Sequence, residues 1–229
     1  MNPHADLERA RFNLIEQQIR PWDVLDLDIL DLLARMKREE FVPAAHKALA
    51  FVDMQIPLVG SAEEAVRTGQ VMLEPKVEAR MLQDLEVTPA DKVLEIGAGS
   101  GYMAALLAAR AQRVITLEIA PELVKMARDN LQRAGGRNAE VREADGAKGL
   151  AAEGPFDVIV LSGSVHEVPQ ALLSQLKIGG RLGAIVGNEP MMRATFIRRT
   201  GEAAWKTEQP WDTVAPRLAH FPEPSRFHF

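Results

Sequence analysis

The sequence predicts an α/β fold in which helices cover both faces of a mainly parallel sheet. From residue 91 onward, short strand-like segments alternate with helical ones, which is typical of parallel strands joined by helical crossovers. Before that point the pattern is mostly helical, and after Gly187 apolar and polar residues alternate as in an antiparallel hairpin. We therefore divide the chain into a helical N-terminal extension packed on the core (1–90) and an α/β core that ends in a hairpin (91–229).

The N-terminal extension is predicted to contain three helices. Residues 5–20 carry apolar side chains at helical spacing, and a second helix with an apolar face follows, capped by Asp23. Residues 39–62 contain prolines and are predicted to form loops with short extended pieces. Residues 75–86 form the third helix, with Pro75 in its first turn.

The core is predicted to alternate regularly. The predicted strands are 93–96, 113–118, 139–143, 156–161 and 180–186, and the predicted helices are 102–111, 121–134 and 169–176. Residues 193–199 and 204–207 are predicted to form the hairpin at one edge of the sheet.

Composition excludes several classes of function. The 229 residues carry a formal net charge of −5 and no basic stripe, which argues against a nucleic-acid partner. No apolar run approaches the roughly 20 residues that a membrane helix needs, and no apolar signal core is present, so we expect a cytoplasmic protein without a membrane partner. The chain has no cysteine, and its histidines show no metal-ligand spacing, so no metal site is predicted.

A glycine-rich turn follows the first core strand. Gly97, Gly99 and Gly101 follow one another at every second position, whereas a dinucleotide fingerprint has its third glycine at the position of Tyr102. This spacing, and the lack of a hydride-transfer constellation, disfavour a nicotinamide dehydrogenase. S-adenosylmethionine has no phosphate and needs close backbone approach, which glycines permit. We therefore predict an S-adenosylmethionine site that includes Gly97, Ala98, Gly99 and Gly101.

Three acidic residues lie at the carboxyl ends of successive predicted strands, where open parallel sheets bind ligands. Glu95 precedes the turn and is placed to face the ammonium group of the ligand, directly or through water. Glu118 ends the next strand and is predicted to accept hydrogen bonds from both ribose hydroxyls. Asp145 follows the third strand and is predicted to reach the adenine amine, with Gly146 leaving room for the ring.

Four stretches resemble the protein-L-isoaspartate O-methyltransferase family: Arg-Glu-Glu-Phe-Val-Pro (38–43), Asp-Met-Gln-Ile-Pro-Leu (53–58), the glycine turn (93–102) and Gln-Leu-Lys-Ile-Gly-Gly-Arg-Leu (175–182). The resemblance implies a doubly wound, mainly parallel seven-stranded sheet of the class I S-adenosylmethionine methyltransferase type with added N-terminal helices. It also implies an activity, methyl transfer to the free α-carboxylate of L-isoaspartyl residues, with a protein or peptide as acceptor.

The chain departs from the family pattern in one segment. Family members carry a Gly-Gln-Thr-Ile-Ser-x-Pro type of sequence whose serine lies beside the transfer site, whereas residues 69–75 here place Val71 and Leu73 at the two hydroxyl positions. Because a carboxylate acceptor is ionised at neutral pH, no general base is required and we assign no catalytic residue. Our hypothesis is that Leu73 changes the acceptor or abolishes transfer. Isoaspartyl methylation, methylation of another acceptor, and cofactor binding without activity remain open at this point.

Overall fold

The structure is a computed structural model that describes residues 3–223. The N-terminal part contains four α-helices: α1 (Pro3–Leu14), α2 (Leu27–Arg35), α3 (Ala62–Thr68) and α4 (Pro75–Asp84). A π-helical turn and 3₁₀ turns lie between them, at Ile15–Ile19, Arg20–Trp22, Arg38–Glu40 and Ala44–Phe51. Two short strands, β1 (Ile56–Pro57) and β2 (Val71–Met72), pair antiparallel. No helix of residues 3–223 is long and apolar enough to cross a membrane.

Three details of this part differ from the prediction. The cap of α2 is Asp26, whose side chain accepts hydrogen bonds from the backbone amides of Asp28 and Ile29; Asp23 instead adopts a left-handed conformation three residues earlier. Residues 39–62 contain more 3₁₀ helix than extended chain. Helix α3 was not predicted, although Ser61 caps it and Gly69 ends it at a φ of 75°.

The core is one seven-stranded sheet. Its strands are β3 (Lys92–Ile96), β4 (Arg113–Glu118), β5 (Ala139–Glu143), β6 (Phe156–Val165), β7 (Leu176–Asn188), β8 (Met191–Gly201) and β9 (Ala204–Asp212). Their order is β5-β4-β3-β6-β7-β8-β9; the first five are parallel and the last two antiparallel. The predicted seven-stranded, mainly parallel sheet and its edge hairpin are therefore confirmed.

Helices α5 (Tyr102–Ala108), α6 (Pro121–Arg133) and α7 (Gln170–Leu173) connect the parallel strands. Helix α7 is shorter than the predicted 169–176, because β7 already begins at Leu176, where it pairs with Phe156. Neighbouring residues of β3 enter different apolar clusters: Val93 packs with the N-terminal helices, and Leu94 packs on the opposite face. Both faces of the sheet are thus buried, and the strand order reverses between β3 and β6, which is where such sheets bind ligands.

Candidate cofactor and acceptor site

A cavity of about 220 Å³, here called the strand-end cavity, opens at the carboxyl ends of β3, β4, β5 and β6. Of the predicted cofactor residues, the following line it: Gly97, Gly99, Glu118, Asp145 and Gly146. Glu95, Ala98 and Gly101 do not line it. The structure therefore brings most of the predicted set together at the point where the strand order reverses.

The glycine turn needs glycine for two different reasons. Gly97, Gly99 and Gly101 all have positive φ values (93°, 51° and 83°), which other residues adopt at a cost. At Gly101 a Cβ would also lie 3.2 Å from the Cα and carbonyl oxygen of Ala127, so this glycine lets α5 and α6 approach each other. Ala98 is buried and its carbonyl closes the turn onto the amide of Gly101. The first two glycines therefore leave open the floor of the cavity, while the third and Ala98 shape the turn.

Glu118 is fixed by backbone amides. Its Oε2 accepts from the amide of Gly99 at 2.9 Å, and its Oε1 accepts from the amides of Ile119 and Ala120 at 2.8 and 3.0 Å. A carboxylate offers about four acceptor positions, so Oε2 keeps one for a ligand. This rigid acceptor at the end of β4 fits the ribose of S-adenosylmethionine.

Glu95 lies behind the wall of the cavity and is fully buried. Its Oε1 accepts from the hydroxyl of Ser162, a residue that does line the cavity, at 2.7 Å; its Oε2 has no partner. Burial raises the pKa of Glu95 to about 7, against the opposing effects of the Ser162 and Thr116 hydroxyls. An unpartnered buried carboxylate oxygen beside the glycine turn fits a cationic ligand group.

Asp145 and Gly146 form the far end of the cavity. Asp145 accepts from the amide of Ala147 at 3.0 Å and from Nδ1–H of His220 at 2.8 Å, and these two hydrogen bonds lower the pKa of its carboxyl. A Cβ at Gly146 would lie 2.3 Å from Cγ2 of Ile96, so only glycine fits there. The aspartate is ionised and half-exposed, which suits an acceptor for an adenine amine.

Sequence reasoning missed the segment that covers this cavity, residues 215–221, which we call the C-terminal strap. The amide of Ser164 donates to the carbonyl of Pro216 at 2.7 Å, and the amide of Leu218 donates to the carbonyl of Ser164 at 2.9 Å. A methyl of Leu218 lies 2.9 Å from where a Cβ of Gly97 would be. The only signal in the sequence is the apolar spacing of Ala215, Leu218 and Phe221, which is too short to identify an element.

The segment that departs from the family pattern adjoins both the cavity and the strap. Gln70 and Val71 line the cavity, and a Cβ at Gly69 would lie 3.2 Å from Cβ of Pro216. Leu73 does not line it: its side chain is buried in the apolar core. Of the two missing hydroxyls, the one at position 71 is therefore the one whose site faces the cavity directly.

Arg38, whose role the sequence does not predict, contacts both this segment and the end of the glycine turn. Its Nη2 donates to the carbonyl of Leu73 at 2.7 Å, and its guanidinium lies 5.7 Å from the ring of Tyr102. Glu78 lies 3.8 Å from Nη2, and burial raises the pKa of Glu78 to about 8 although Arg38 opposes the shift. The backbone at Leu73 is thus held by a buried cation that also packs on Tyr102, the first residue of α5.

A second, larger cavity of about 670 Å³, here called the hairpin groove, lies beside the same segment. Its lining includes Trp22, Glu74, Lys76, Gly187 and Met191. Lys76 lies 4.1 Å from the ring of Trp22, and its ammonium pairs with Asp53 at 2.8 Å. Glu74 lies three residues after Val71, which lines the strand-end cavity, so this segment runs from one cavity to the other. Within residues 3–223 no group of three or more His, Asp or Glu side chains is placed to hold a metal ion.

The fold and the strand-end cavity define an S-adenosylmethionine-dependent methyltransferase of class I. A family model described as protein-L-isoaspartate(D-aspartate) O-methyltransferase matches residues 9–214, and the chain belongs to this family. A protein-L-isoaspartate O-methyltransferase of Koribacter versatilis is 40% identical over 84% of this chain and 82% of the relative. One of Gloeobacter violaceus is 38% identical over 82% of this chain and 88% of its own length.

Two solved structures share the fold. A protein-L-isoaspartate O-methyltransferase superimposes with a TM-score of 0.77 at 23% identity, over 93% of this chain and 65% of that longer chain. A putative member from Plasmodium falciparum, in complex with S-adenosyl-L-homocysteine, superimposes with a TM-score of 0.74 at 18% identity, over 91% of this chain and 97% of the other. The predicted family, fold and cofactor are confirmed by these findings together.

Proposed function

We propose that this protein methylates the free α-carboxylate of L-isoaspartyl residues in proteins or peptides. The family supports this acceptor, since both curated relatives bear the name of that activity. The observation that supports the proposal is that residues 69–71, the segment that matches the acceptor element of the family pattern, line the strand-end cavity.

The reaction depends on the positioning of the acceptor carboxylate and the methyl group, and it needs little acid–base catalysis. S-adenosylmethionine supplies a methyl group that is already activated by its bond to a sulfonium sulfur. When the methyl group is transferred, S-adenosylhomocysteine departs as a neutral thioether. An isoaspartyl carboxylate is ionised at neutral pH, so the protein has no proton to remove. Glu118 and Asp145 hold the nucleoside end, the glycine turn admits the amino-acid end, and the C-terminal strap keeps water out of the space between. Rate then comes from holding oxygen and methyl carbon about 3 Å apart and in line.

A methylation assay tests the proposal. The full chain is incubated with methyl-labelled S-adenosylmethionine and a peptide carrying one L-isoaspartyl residue. The matched control peptide has the same sequence with ordinary aspartate. We expect label only in the isoaspartyl peptide, in a base-labile ester, because a methyl ester of a carboxylate hydrolyses in mild base.

A second acceptor is favoured by one observation: residues 71 and 73 carry no hydroxyl, so the acceptor segment is apolar where the family pattern is polar. If the chain binds S-adenosylhomocysteine in calorimetry yet leaves the isoaspartyl peptide unlabelled, the isoaspartyl proposal is wrong. The protein would then be a methyltransferase for a different acceptor or a cofactor-binding protein without transfer activity.

A further inference from the structure

Two buried hydrogen-bond donors without partners lie where the C-terminal strap crosses β6. One is Nη1 of Arg217, and the other is the hydroxyl of Ser164, a residue with no exposed surface. Ser164 and Arg217 are bridge partners in a parallel pairing, so their side chains project from the same face of that ladder. Buried donors without acceptors are unfavourable, and because Arg217 also lines the strand-end cavity, an acceptor bound there would satisfy a donor that the protein itself leaves unpaired.

The guanidinium of Arg217 is already oriented. Its Nη2 donates to the carbonyl of Gly187 at 3.0 Å and to Oδ1 of Asn188 at 2.9 Å. Its Nε lies 3.5 Å from Oε1 of Glu223, whose side chain is half-exposed. Arginine has five N–H donors, and both donors of Nη1 are unused. Because Arg217 is already held in place, an anion that binds here would cost little further side-chain entropy.

The charges around the strand-end cavity single out Arg217. Among its lining residues in the described part of the chain, Arg217 is the one cation, and the two anions, Glu118 and Asp145, already accept hydrogen bonds. Gly187, which Arg217 binds, lines the hairpin groove. The carbonyl of Arg217 lies 3.4 Å from where a Cβ of Gly69 would be. The residue therefore stands between the cofactor site, the acceptor segment and the groove.

We propose that Arg217, with the hydroxyl of Ser164, binds the carboxylate that receives the methyl group. This inference rests on the proposed function and names the group that recognises its acceptor. A guanidinium matches a carboxylate in two parallel hydrogen bonds, so it can orient the oxygen that attacks. The site takes over the orienting role that hydroxyls at positions 71 and 73 would have had. The carboxylate of the cofactor has the same chemistry, but the position of Arg217 beside Gly69 and the groove assigns it to the acceptor.

The test compares R217M, R217K and S164A with the wild type on the isoaspartyl peptide, with calorimetric affinity for S-adenosylhomocysteine measured in parallel. For R217M we expect KM to rise about 10- to 100-fold, the loss of a charge-assisted hydrogen bond, and kcat to fall because the oxygen is no longer oriented, with S-adenosylhomocysteine affinity within about twofold of wild type. R217K keeps the charge and recovers part of the loss, and S164A raises KM about three- to tenfold.

A matched control is R199M. Arg199 also donates to several backbone carbonyls, including those of Leu176 and Gly201, but it lies on β8 away from both cavities. R199M measures how much KM changes when an arginine that only holds backbone carbonyls is lost. We expect its KM to stay at the wild-type value. A peptide whose isoaspartyl α-carboxylate is amidated gives the second readout: it should bind the wild type as weakly as the free peptide binds R217M.

Each possible outcome contradicts a different part of the proposal. If the wild type methylates the peptide and R217M behaves like R199M, the assignment of Arg217 is wrong. If R217M weakens S-adenosylhomocysteine and leaves peptide KM unchanged, the carboxylate is that of the cofactor and the assignment to the acceptor is wrong. If the wild type neither binds nor methylates the peptide, the proposed function itself fails, and the wild type alone shows it. Should R217M not melt cooperatively, R217K and S164A decide by the same KM criterion.

Discussion

The cofactor side and the acceptor side of this site are built in different ways. On the cofactor side, the residues that we propose to face the cofactor come from the ends of successive strands, within residues 96–146, and Glu118 and Asp145 accept hydrogen bonds from backbone amides of that same segment. On the acceptor side, Trp22, residues 69–74, Gly187 and the C-terminal strap come together from distant parts of the chain. A local framework preserves one ligand, whereas a surface assembled from separate segments can change its partner through single substitutions. The predictions below probe that contrast.

The largest effect is expected on the cofactor side, from E118A. Removing the carboxylate takes away the acceptor of the Gly99 amide and the acceptor that we propose for the ribose hydroxyls, so S-adenosylhomocysteine affinity should fall about 100-fold. Calorimetry measures it. E143A is the matched control, because Glu143 is an exposed residue paired with Glu118 in the β4–β5 register. Equal affinities in the two variants would contradict the assignment of Glu118.

The next effect belongs to the acceptor side. In V71T, which restores a hydroxyl of the family pattern at the position that lines the strand-end cavity, we expect isoaspartyl kcat/KM to rise about tenfold while cofactor affinity stays constant. Val71 is buried, so the added hydroxyl also costs some stability and the variant is assayed well below its melting temperature. V66T, an exposed substitution in the neighbouring helix, controls for the added threonine. Unchanged or reduced kcat/KM at full folding would show that the acceptor does not depend on position 71.

A smaller effect concerns pH. Because the pKa of Glu95 lies near 7, its negative charge forms between about pH 6 and about pH 8, and a cationic ligand favours the charged form. Affinity for S-adenosylmethionine should therefore rise about three- to tenfold over that range in the wild type. In E95Q the rise should be absent, since glutamine does not titrate. If the affinity of both proteins changes with pH to the same extent, Glu95 does not contribute to the binding of the cofactor.

The smallest effect is on stability. Burial raises the pKa of Glu78 from its usual 4.5 to about 8, so its contribution to stability is complete below about pH 4.5 and is lost as pH rises through about 8. Relative to E78Q, the wild type should lose at least about 5 °C in melting temperature between about pH 5 and about pH 9. A wild-type minus E78Q difference that stays constant with pH, or changes in the opposite direction, would show that Glu78 is not buried as described.

Much of the cofactor side could be predicted because its signals are local. The bounds of β4 and β5 match the predicted ranges, and the glycine turn, Glu118 and Asp145 each sit at a strand end that periodicity alone identifies. The placement of Glu95 was only approximate, since the sequence gives its position in the strand but not the hydroxyl of Ser162 that stands between it and the cavity.

The acceptor side could not be predicted in the same way, because its contacts are long-range. The strap is held to β6 by two backbone hydrogen bonds, to the end of β7 and to Asp145 by side-chain hydrogen bonds, and otherwise by apolar packing, none of which leaves a periodic pattern in the sequence. Nothing in the sequence distinguishes Arg217 from the other arginines. Its position becomes clear only from its hydrogen bonds to Gly187 and Asn188 in the folded protein. Arg38 likewise gains its meaning from a carbonyl 35 residues away.

The strap also fixes when the site can exist during synthesis. The strand-end cavity draws on residues from Thr68 to Phe221, so it is incomplete on a ribosome-bound chain until that last segment has emerged. The seven strands can pair before then, because the sheet needs nothing beyond β9, but the two apolar clusters gain Ala215 and Phe221 only with the strap. A ligand stabilises only the state that binds it. S-adenosylmethionine is therefore expected to stabilise the protein only after the strap has folded onto the sheet, and not during the earlier steps of folding.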